Sequence, residues 1–167
     1  MLPRDAFRGL CSGCGASRRS GRSDRPCCRH LHGARRLSPV SGLPPYADLL
    51  GLTLEPDAEG APVLLMPFGD PVVGRPGFLH GGAISGLLEM AAYMALVHEL
   101  AGEADAGVKP INVTVDFMRG GRDKPTRARG TVTRLGTRVA NVEASAWQDD
   151  PAQPIAGARM NYLVLRS

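Results

Sequence analysis

The residue types and spacing best suited to chemistry are a His-Gly-Gly turn at His80, Gly81 and Gly82, followed by Glu89 nine residues after the histidine. Glu89 is the only charged residue between His80 and His98, in a segment that is otherwise mostly apolar. Burying an ionised carboxylate without a partner costs a great deal of free energy. Glu89 is therefore predicted to pair with a cation, to have its ionisation altered by burial, or to face a cleft.

The segment from 83 to 97 is predicted to be an α-helix, because it is rich in Ala, Leu and Met and has almost no β-branched residues. It is too short, and interrupted by Glu89, to span a membrane. Ser85, Glu89 and Tyr93 recur at every fourth position and so share one face of this helix. That face is predicted to line a cleft. The alternative is a core helix in which Glu89 forms a structural ion pair.

Gly81 and Gly82 suit the start of this helix for a chemical reason. Backbone N–H groups there have no intrahelical acceptor and the helix dipole is positive, so they can polarise a substrate oxygen if no Cβ blocks its approach. A helix N-terminal amide and a mid-helix carboxylate are the parts of an acyl-transfer site. His80 either caps and orients the turn or takes part in the chemistry, and the sequence leaves both roles open.

Helix geometry adds a constraint on how these groups act together. Nine residues advance about 13.5 Å and rotate about 900°, which places His80 and Glu89 on roughly opposite faces. One substrate carbonyl cannot touch both ends of that span within one chain. A reaction that uses both therefore needs the amide from one protomer and the carboxylate from another, and a two-fold dimer is the simplest active unit.

Strands are predicted on both sides of the helix from alternating apolar and polar residues and from turn signals. The strand at 111–117 is predicted to bury one face. The element order is β-β-α-β-β-β-β, an antiparallel sheet with one long helix packed on it, in the α+β class. The predicted strands are residues 50–55 and 63–66 before the helix, and residues 111–117, 126–134, 140–146 and 156–164 after it.

The His-Gly-Gly turn, the two short strands before it and the strands after it resemble the hotdog-fold thioesterases of the phenylacetate-pathway (PaaI-like) type, over about residues 43 to 167. In that family the turn begins the central helix, and an Asp or Glu nine residues after the His is the catalytic carboxylate. The resemblance implies that the Gly81 amide polarises a thioester carbonyl, and that Glu89 of the facing subunit acts as general base or nucleophile. The family often has an Asn before the turn and a Ser or Thr four residues after the carboxylate. Gly74 and Tyr93 occupy those positions here.

The resemblance implies hydrolysis of an acyl-CoA to free acid and CoA by a cytoplasmic homodimer or dimer of dimers, without metal or cofactor. A non-catalytic acyl-CoA sensor and a hotdog dehydratase are the alternatives, and Glu89 in place of an Asp/His pair argues against the dehydratase. Basic residues after strand 111–117 are candidate contacts for CoA phosphates, or else part of a solvated turn. The candidate catalytic residues are Glu89, Gly81 and His80, and the candidate substrate contacts are Gly82, Ser85, Tyr93, Arg119 and Arg122, with Lys124 beside them.

Composition divides the chain near Ser38. Residues 1–38 hold nine Arg against two Asp, for a net charge of +7, whereas residues 39–167 hold 11 basic and 14 acidic residues, for a net charge of −3. The basic balance therefore describes the N-terminal extension, and it implies no preference of the domain for acidic substrates or nucleic acid. All four cysteines lie in the extension, so disulfides and thiol catalysis are not expected in the domain.

The extension, residues 1–42, is predicted to be disordered by itself because it is rich in Gly, Ser and Arg and poor in apolar residues. It is interpreted as a mis-annotated upstream translation start or a transit segment. Nucleic-acid binding by its arginines is a further alternative. A zinc site is another, although its spacing fits no established finger. The potential ligands are Cys11, Cys14, Cys27, Cys28, His30 and His32.

Overall fold

The computed structural model describes residues 44–56, 62–103 and 106–166. The predicted extension and its zinc alternative lie outside the described residues. The described helices are α1 (Pro45–Leu49), a 3₁₀ turn (Asp70–Val72) and α2 (Gly81–Glu99). The strands are β1 (Thr53–Pro56), β2 (Pro62–Met66), β3 (Val73–Arg75), β4 (Phe78–Leu79), β5 (Gly107–Phe117), β6 (Thr126–Leu135), β7 (Val139–Trp147) and β8 (Ala156–Leu165).

Six strands form one sheet in the order β1-β2-β6-β7-β8-β5, and every neighbouring pair is antiparallel. The short strands β3 and β4 form a separate hairpin immediately before α2. Helix α2 packs on one face of the six-stranded sheet, mainly against β6 and β7. This architecture confirms the predicted hotdog class, an antiparallel sheet around one long helix.

Helix α2 is buried on most of its circumference because the strands beneath it carry very small side chains. Ala128, Ala140, Ala146 and Ala156 are fully buried. At Gly130 even a methyl group does not fit, since a Cβ there would lie 2.4 Å from the carbonyl oxygen of Ala91. These small residues let the sheet approach the helix closely. No helix in the described ranges is long and apolar enough to cross a membrane.

The chain before α2 differs from the prediction. Residues 50–52, predicted as part of a strand, form the end of α1 and a turn, and β1 begins only at Thr53. Pro45 at the first helical position starts α1, because proline fixes φ near its helical value. Gly51 then reverses the chain with a φ of 65°. The helix α1, the 3₁₀ turn and the β3–β4 hairpin were not predicted.

The apolar side chains of β5 also differ from the prediction. Ile111, Val113 and Phe117 were predicted to form a buried face, yet they are 56%, 52% and 55% exposed, and only Val115 is partly buried against the core. The reason for this exposure is the position of the strand in the tertiary structure. Strand β5 is the edge of the sheet next to β8, and α2 covers little of it within this chain.

Candidate active site

The start of α2 is fixed by the His80 side chain. His80 is the N-cap residue, and its Nδ1 accepts a hydrogen bond from the Gly82 N–H at 2.9 Å. The His80 N–H donates to Val72, and its carbonyl oxygen accepts from Ala83 and Ile84. Of the two roles left open by the sequence, His80 performs the capping one in this structure.

Gly82 is required by that cap. A Cβ at Gly82 would lie 2.9 Å from Nδ1 and 3.2 Å from Cε1 of His80, so any side chain there displaces the imidazole ring. At Gly81 a Cβ would meet Phe117 at an ordinary 3.4 Å. The two glycines therefore have different reasons to be glycine, one for the cap and one for the space in front of the first helical amide.

We expect Gly82→Ala to destabilise the protein by about 1 kcal/mol, the usual contribution of an N-cap hydrogen bond, because the methyl group expels the His80 ring. Gly102→Ala is the matched control, since a Cβ at Gly102 meets nothing within 4 Å. Urea unfolding of both variants measures the difference. Equal stability of the two would show that the His80 cap contributes nothing to folding.

A groove of about 360 Å³ opens at the start of α2. Its wall is mostly apolar, and it holds the first residue of the helix beside the end of β5 and the loop that follows. The lining residues are Leu79, Gly81, Ile84, Phe117, Met118, Arg119, Gly120 and Gly121. The N–H groups of Gly82, Ala83 and Ile84 already donate to His80, so the Gly81 N–H is the amide of the first helical turn from which a carbonyl oxygen in this groove can accept.

The predicted polar stripe of α2 is the helix face that the chain leaves uncovered. Ser85, Glu89 and Tyr93 are each partly exposed, whereas eleven other residues of the helix are buried. Glu89 forms no ion pair with any described residue. Of the alternatives for this carboxylate, the structure therefore rejects pairing with a described cation and leaves Glu89 facing an open side of the molecule.

Three hydroxyl-bearing residues, Ser85, Tyr93 and Tyr162, belong to the same region as Glu89. Ser85 Oγ donates to the Gly81 carbonyl oxygen at 3.0 Å, and the Tyr162 hydroxyl donates to the Glu89 backbone carbonyl oxygen at a long 3.4 Å. Burial raises the pKa of Tyr93, and burial followed by the charges of Glu89 and Tyr93 raises the pKa of Tyr162. Both phenols therefore stay protonated at neutral pH.

The helix geometry sets the distance between the Gly81 amide and the Glu89 carboxylate. From Gly81 to Glu89 the helix advances about 12 Å but rotates by only about 80° net of full turns. Gly81 and Glu89, the pair that would act on substrate, thus lie on neighbouring faces of the helix. His80 and Glu89, by contrast, lie on roughly opposite faces. Glu89 is also absent from the residues that line the groove at Gly81. The separation of about 12 Å along the axis is the remaining reason to expect the two groups to act from different chains, and a site shared between chains stays a prediction.

The basic residues after β5 differ in how they are engaged. Lys124 forms an ion pair with Asp149 at 2.8 Å, and Arg119 donates to the neutral amide of Gln153 at 2.8 Å. The guanidinium of Arg122 lies over the ring of Phe78, 4.3 Å from its centroid. Arg119 lines the groove with Gly81, whereas Arg122 and Lys124 do not.

A second groove of about 360 Å³ lies on the outer face of the sheet, away from α2. It contains a ladder of three asparagines in register on neighbouring strands. Asn141 donates to Asn161, and Asn161 Nδ2 donates to Asn112 Oδ1 at 2.7 Å. In the part of the chain that the structure describes, no group of three or more His, Cys, Asp or Glu could hold a metal ion.

The chain is similar to known proteins over the segment that carries this site. The family model of the thioesterase superfamily matches residues 76–155, which include α2 and the His-Gly-Gly turn. A solved structure from Chromobacterium violaceum is 35% identical, covers 71% of this chain and 82% of its own, and has a TM-score of 0.58. The chain belongs to the thioesterase superfamily. Membership supports a thioesterase activity in general.

Two more distant structures share the fold. A protein of Ralstonia eutropha, named as related to phenylacetic acid degradation, is 24% identical over 74% of this chain and 92% of its own, with a TM-score of 0.64. A protein of Bacillus halodurans, solved with CoA, is 21% identical over 72% of this chain and 78% of its own, with a TM-score of 0.65. No curated protein matches the chain.

One departure of this chain from the PaaI-like pattern has a steric cause. Gly74 stands where that pattern often has Asn, and a Cβ at Gly74 would lie 2.8 Å from Cα and 3.1 Å from the backbone nitrogen of His80. With this backbone no side chain fits at the position. No side chain at this position can therefore take part in the site of this chain.

Most of the groove wall was not predicted from the sequence. Phe117 was expected in the core, and Gly120 and Gly121 were passed over. At Gly121 a Cβ would lie 2.8 Å from Leu79, so the loop must be glycine to approach the residue before His80. The sequence signal that could have indicated this loop was the second Gly-Gly pair, at Gly120 and Gly121.

Proposed function

We propose that this protein hydrolyses acyl-CoA thioesters to the free acid and CoA. The observation that supports this most is the groove at Gly81, where an apolar wall adjoins the first amide of α2. The apolar wall suits an acyl chain, and the Gly81 amide suits the oxyanion that forms when the thioester carbonyl is attacked. The CoA in the Bacillus halodurans structure favours CoA as the carrier.

The reaction assigns one role to each group. The Gly81 N–H donates to the carbonyl oxygen and stabilises its negative charge. Glu89 from a second chain either takes a proton from water as the water attacks the carbonyl carbon, or attacks that carbon itself to give an anhydride that water then cleaves. The C–S bond breaks, and the thiolate of CoA leaves and is protonated.

The second chain is expected along the open edge of β5. This strand has eleven residues, has no strand partner among the described residues on its outer side, and exposes Ile111, Val113 and Phe117, of which Phe117 lines the groove. A long apolar edge is a template for pairing with another strand. Antiparallel pairing of β5 with the β5 strand of a second copy provides hydrogen-bond partners for the backbone groups of this edge and has two-fold symmetry.

A two-fold dimer can also bring Gly81 and Glu89 of different chains together. The two residues lie four positions before and four positions after Ser85 along α2. If the helices of two copies run antiparallel with the axis near Ser85, the first turn of each helix lies opposite the Glu89 of the other. The uncovered face of α2, which carries Ser85 and Glu89, is the face such a partner would cover.

We expect Val113→Asp to convert the protein from dimer to monomer at micromolar concentration and to abolish hydrolysis, because it places a charge in the buried centre of the interface. Thr114→Asp, on the opposite face of the same strand, is the matched control and should stay dimeric and active. Light scattering gives the mass. A fully active monomeric wild-type protein would contradict the shared site.

The function itself is tested by release of free CoA thiol from short-chain, long-chain and aryl acyl-CoA substrates. We expect turnover of at least one class, and the most rapidly hydrolysed acyl group identifies what the groove accepts. Binding of acyl-CoA without release of thiol would instead support the sensor alternative.

A further inference from the structure

Three side chains lie in a row across β3, β4 and the loop that follows β5. Arg75 of β3 pairs with Phe78 of β4, and Phe78 forms an antiparallel bridge with Arg122. Directly paired residues in antiparallel strands point to the same face. The Phe78 ring therefore stands between the two arginines, with the guanidinium carbons 4.0 Å and 4.3 Å from its centroid. We call these three residues the Arg-Phe-Arg row.

The row carries two positive charges that no described carboxylate neutralises. The ion pairs of the described residues involve neither Arg75 nor Arg122, and both side chains are exposed. The two guanidinium carbons are at most about 8 Å apart. The aromatic ring attracts each cation through its quadrupole and holds both in place. Two fixed forks of N–H donors at this spacing suit the oxygens of phosphate groups.

The position of the row connects it to the groove at Gly81. Phe78 and Leu79 are consecutive in β4, so their side chains point to opposite sides, and Leu79 lines the groove. Gly120 lies between, because it lines the groove and a Cβ there would be 3.0 Å from the Phe78 ring. A ligand whose reactive end lies in the groove reaches the row by passing over the edge formed by Gly120.

We propose that Arg75 and Arg122, held by Phe78, bind the phosphate groups of the CoA carrier and give this enzyme its preference for CoA thioesters over phosphate-free ones. This inference rests on the proposed acyl-CoA hydrolysis. It adds Arg75 and Phe78 to the site and separates Arg122 from Lys124, whose charge is already paired with Asp149.

The test compares two substrates with the same acyl group, one on CoA and one on pantetheine, which lacks the phosphates. Arg75→Gln and Arg122→Gln should each raise KM for the CoA thioester about tenfold, the effect of one lost charge-assisted hydrogen bond. The values of kcat and all kinetics with the pantetheine thioester should not change. Arg134→Gln, an exposed arginine elsewhere on the sheet, should alter neither substrate.

Two further variants separate recognition from folding. Arg75→Lys keeps the charge but loses the planar fork, so its KM should lie between those of wild type and Arg75→Gln. Phe78→Leu keeps a strand-forming apolar residue but removes the ring that fixes both cations, and it should raise KM for the CoA thioester alone. Equal losses with both substrates would show that the row only supports the hairpin, and the inference would be rejected.

Isothermal titration calorimetry of free CoA binding tests this inference independently of the proposed function. If CoA binds to the wild-type protein and binding weakens about tenfold in each Gln variant, the phosphate site stands even if no thioester is hydrolysed. If thioesters are hydrolysed but neither variant changes KM or CoA binding, the proposed function stands and the Arg-Phe-Arg row is not a phosphate site.

Discussion

Glu89→Gln should lower the rate of thioester hydrolysis by at least about 100-fold, whichever role the carboxylate has, because an amide neither accepts a proton from water nor attacks a carbonyl. Folding should be unaffected. Glu89 is partly exposed and forms no ion pair with a described residue, so an isosteric amide leaves no buried charge without a partner. The effect should appear in kcat, with the affinity for product CoA unchanged.

Glu99→Gln is the matched control for this change. It removes the same charge from the same helix, at an exposed position in its last turn. Its kcat should equal that of the wild type. Thermal unfolding of both variants checks that the helix is intact. If Glu89→Gln retains near-normal turnover, the carboxylate takes no part in the reaction and the proposed mechanism is wrong.

Two inactive variants should restore activity when their chains exchange into one dimer. The first is Glu89→Gln. The second is Gly81→Leu: a Cβ at Gly81 meets Phe117 at 3.4 Å, so a leucine side chain must displace that ring or fill the groove in front of the amide. In a mixed dimer one site receives an intact Gly81 from the first chain and an intact Glu89 from the second.

The expected recovery has a definite size. Each mixed dimer has one working site of two, and mixed dimers make up about half of a random equal mixture, so about a quarter of normal activity should return. Gly102→Leu, at a position where a Cβ meets nothing within 4 Å, controls for the added bulky side chain and should retain activity. If mass measurements confirm exchange and no activity appears, the site is not shared between chains in the proposed way.

Local patterns in the sequence determined the elements that carry the site. The run of Ala, Leu and Met predicted α2. The four-residue spacing of Ser85, Glu89 and Tyr93 predicted the helix face that the described residues leave partly exposed. The alternation of β6, β7 and β8 was likewise predicted almost to their ends. These features are local, since a helix or strand buries one face according to residues a few positions apart.

Only the tertiary structure decided which residues surround the helix start. Phe117 and Gly121 meet Leu79 and Gly81 because β5 lies at the sheet edge and the following loop returns to β4. The exposure of the apolar side chains of β5 follows from the same edge position. Alternation predicts that a strand has an apolar face, but whether the chain itself or a partner covers that face depends on the strand order.

The pairing of distant segments was also beyond the sequence. Arg75 and Arg122 are separated by α2 and β5, and they flank one ring because the β3–β4 hairpin and the loop after β5 fall into register. That register is set where Gly and Ala residues let strands and loops approach closely, and such contacts depend on the backbone positions of the whole fold. The chemistry of each side chain was determined locally, and its neighbours were determined by packing.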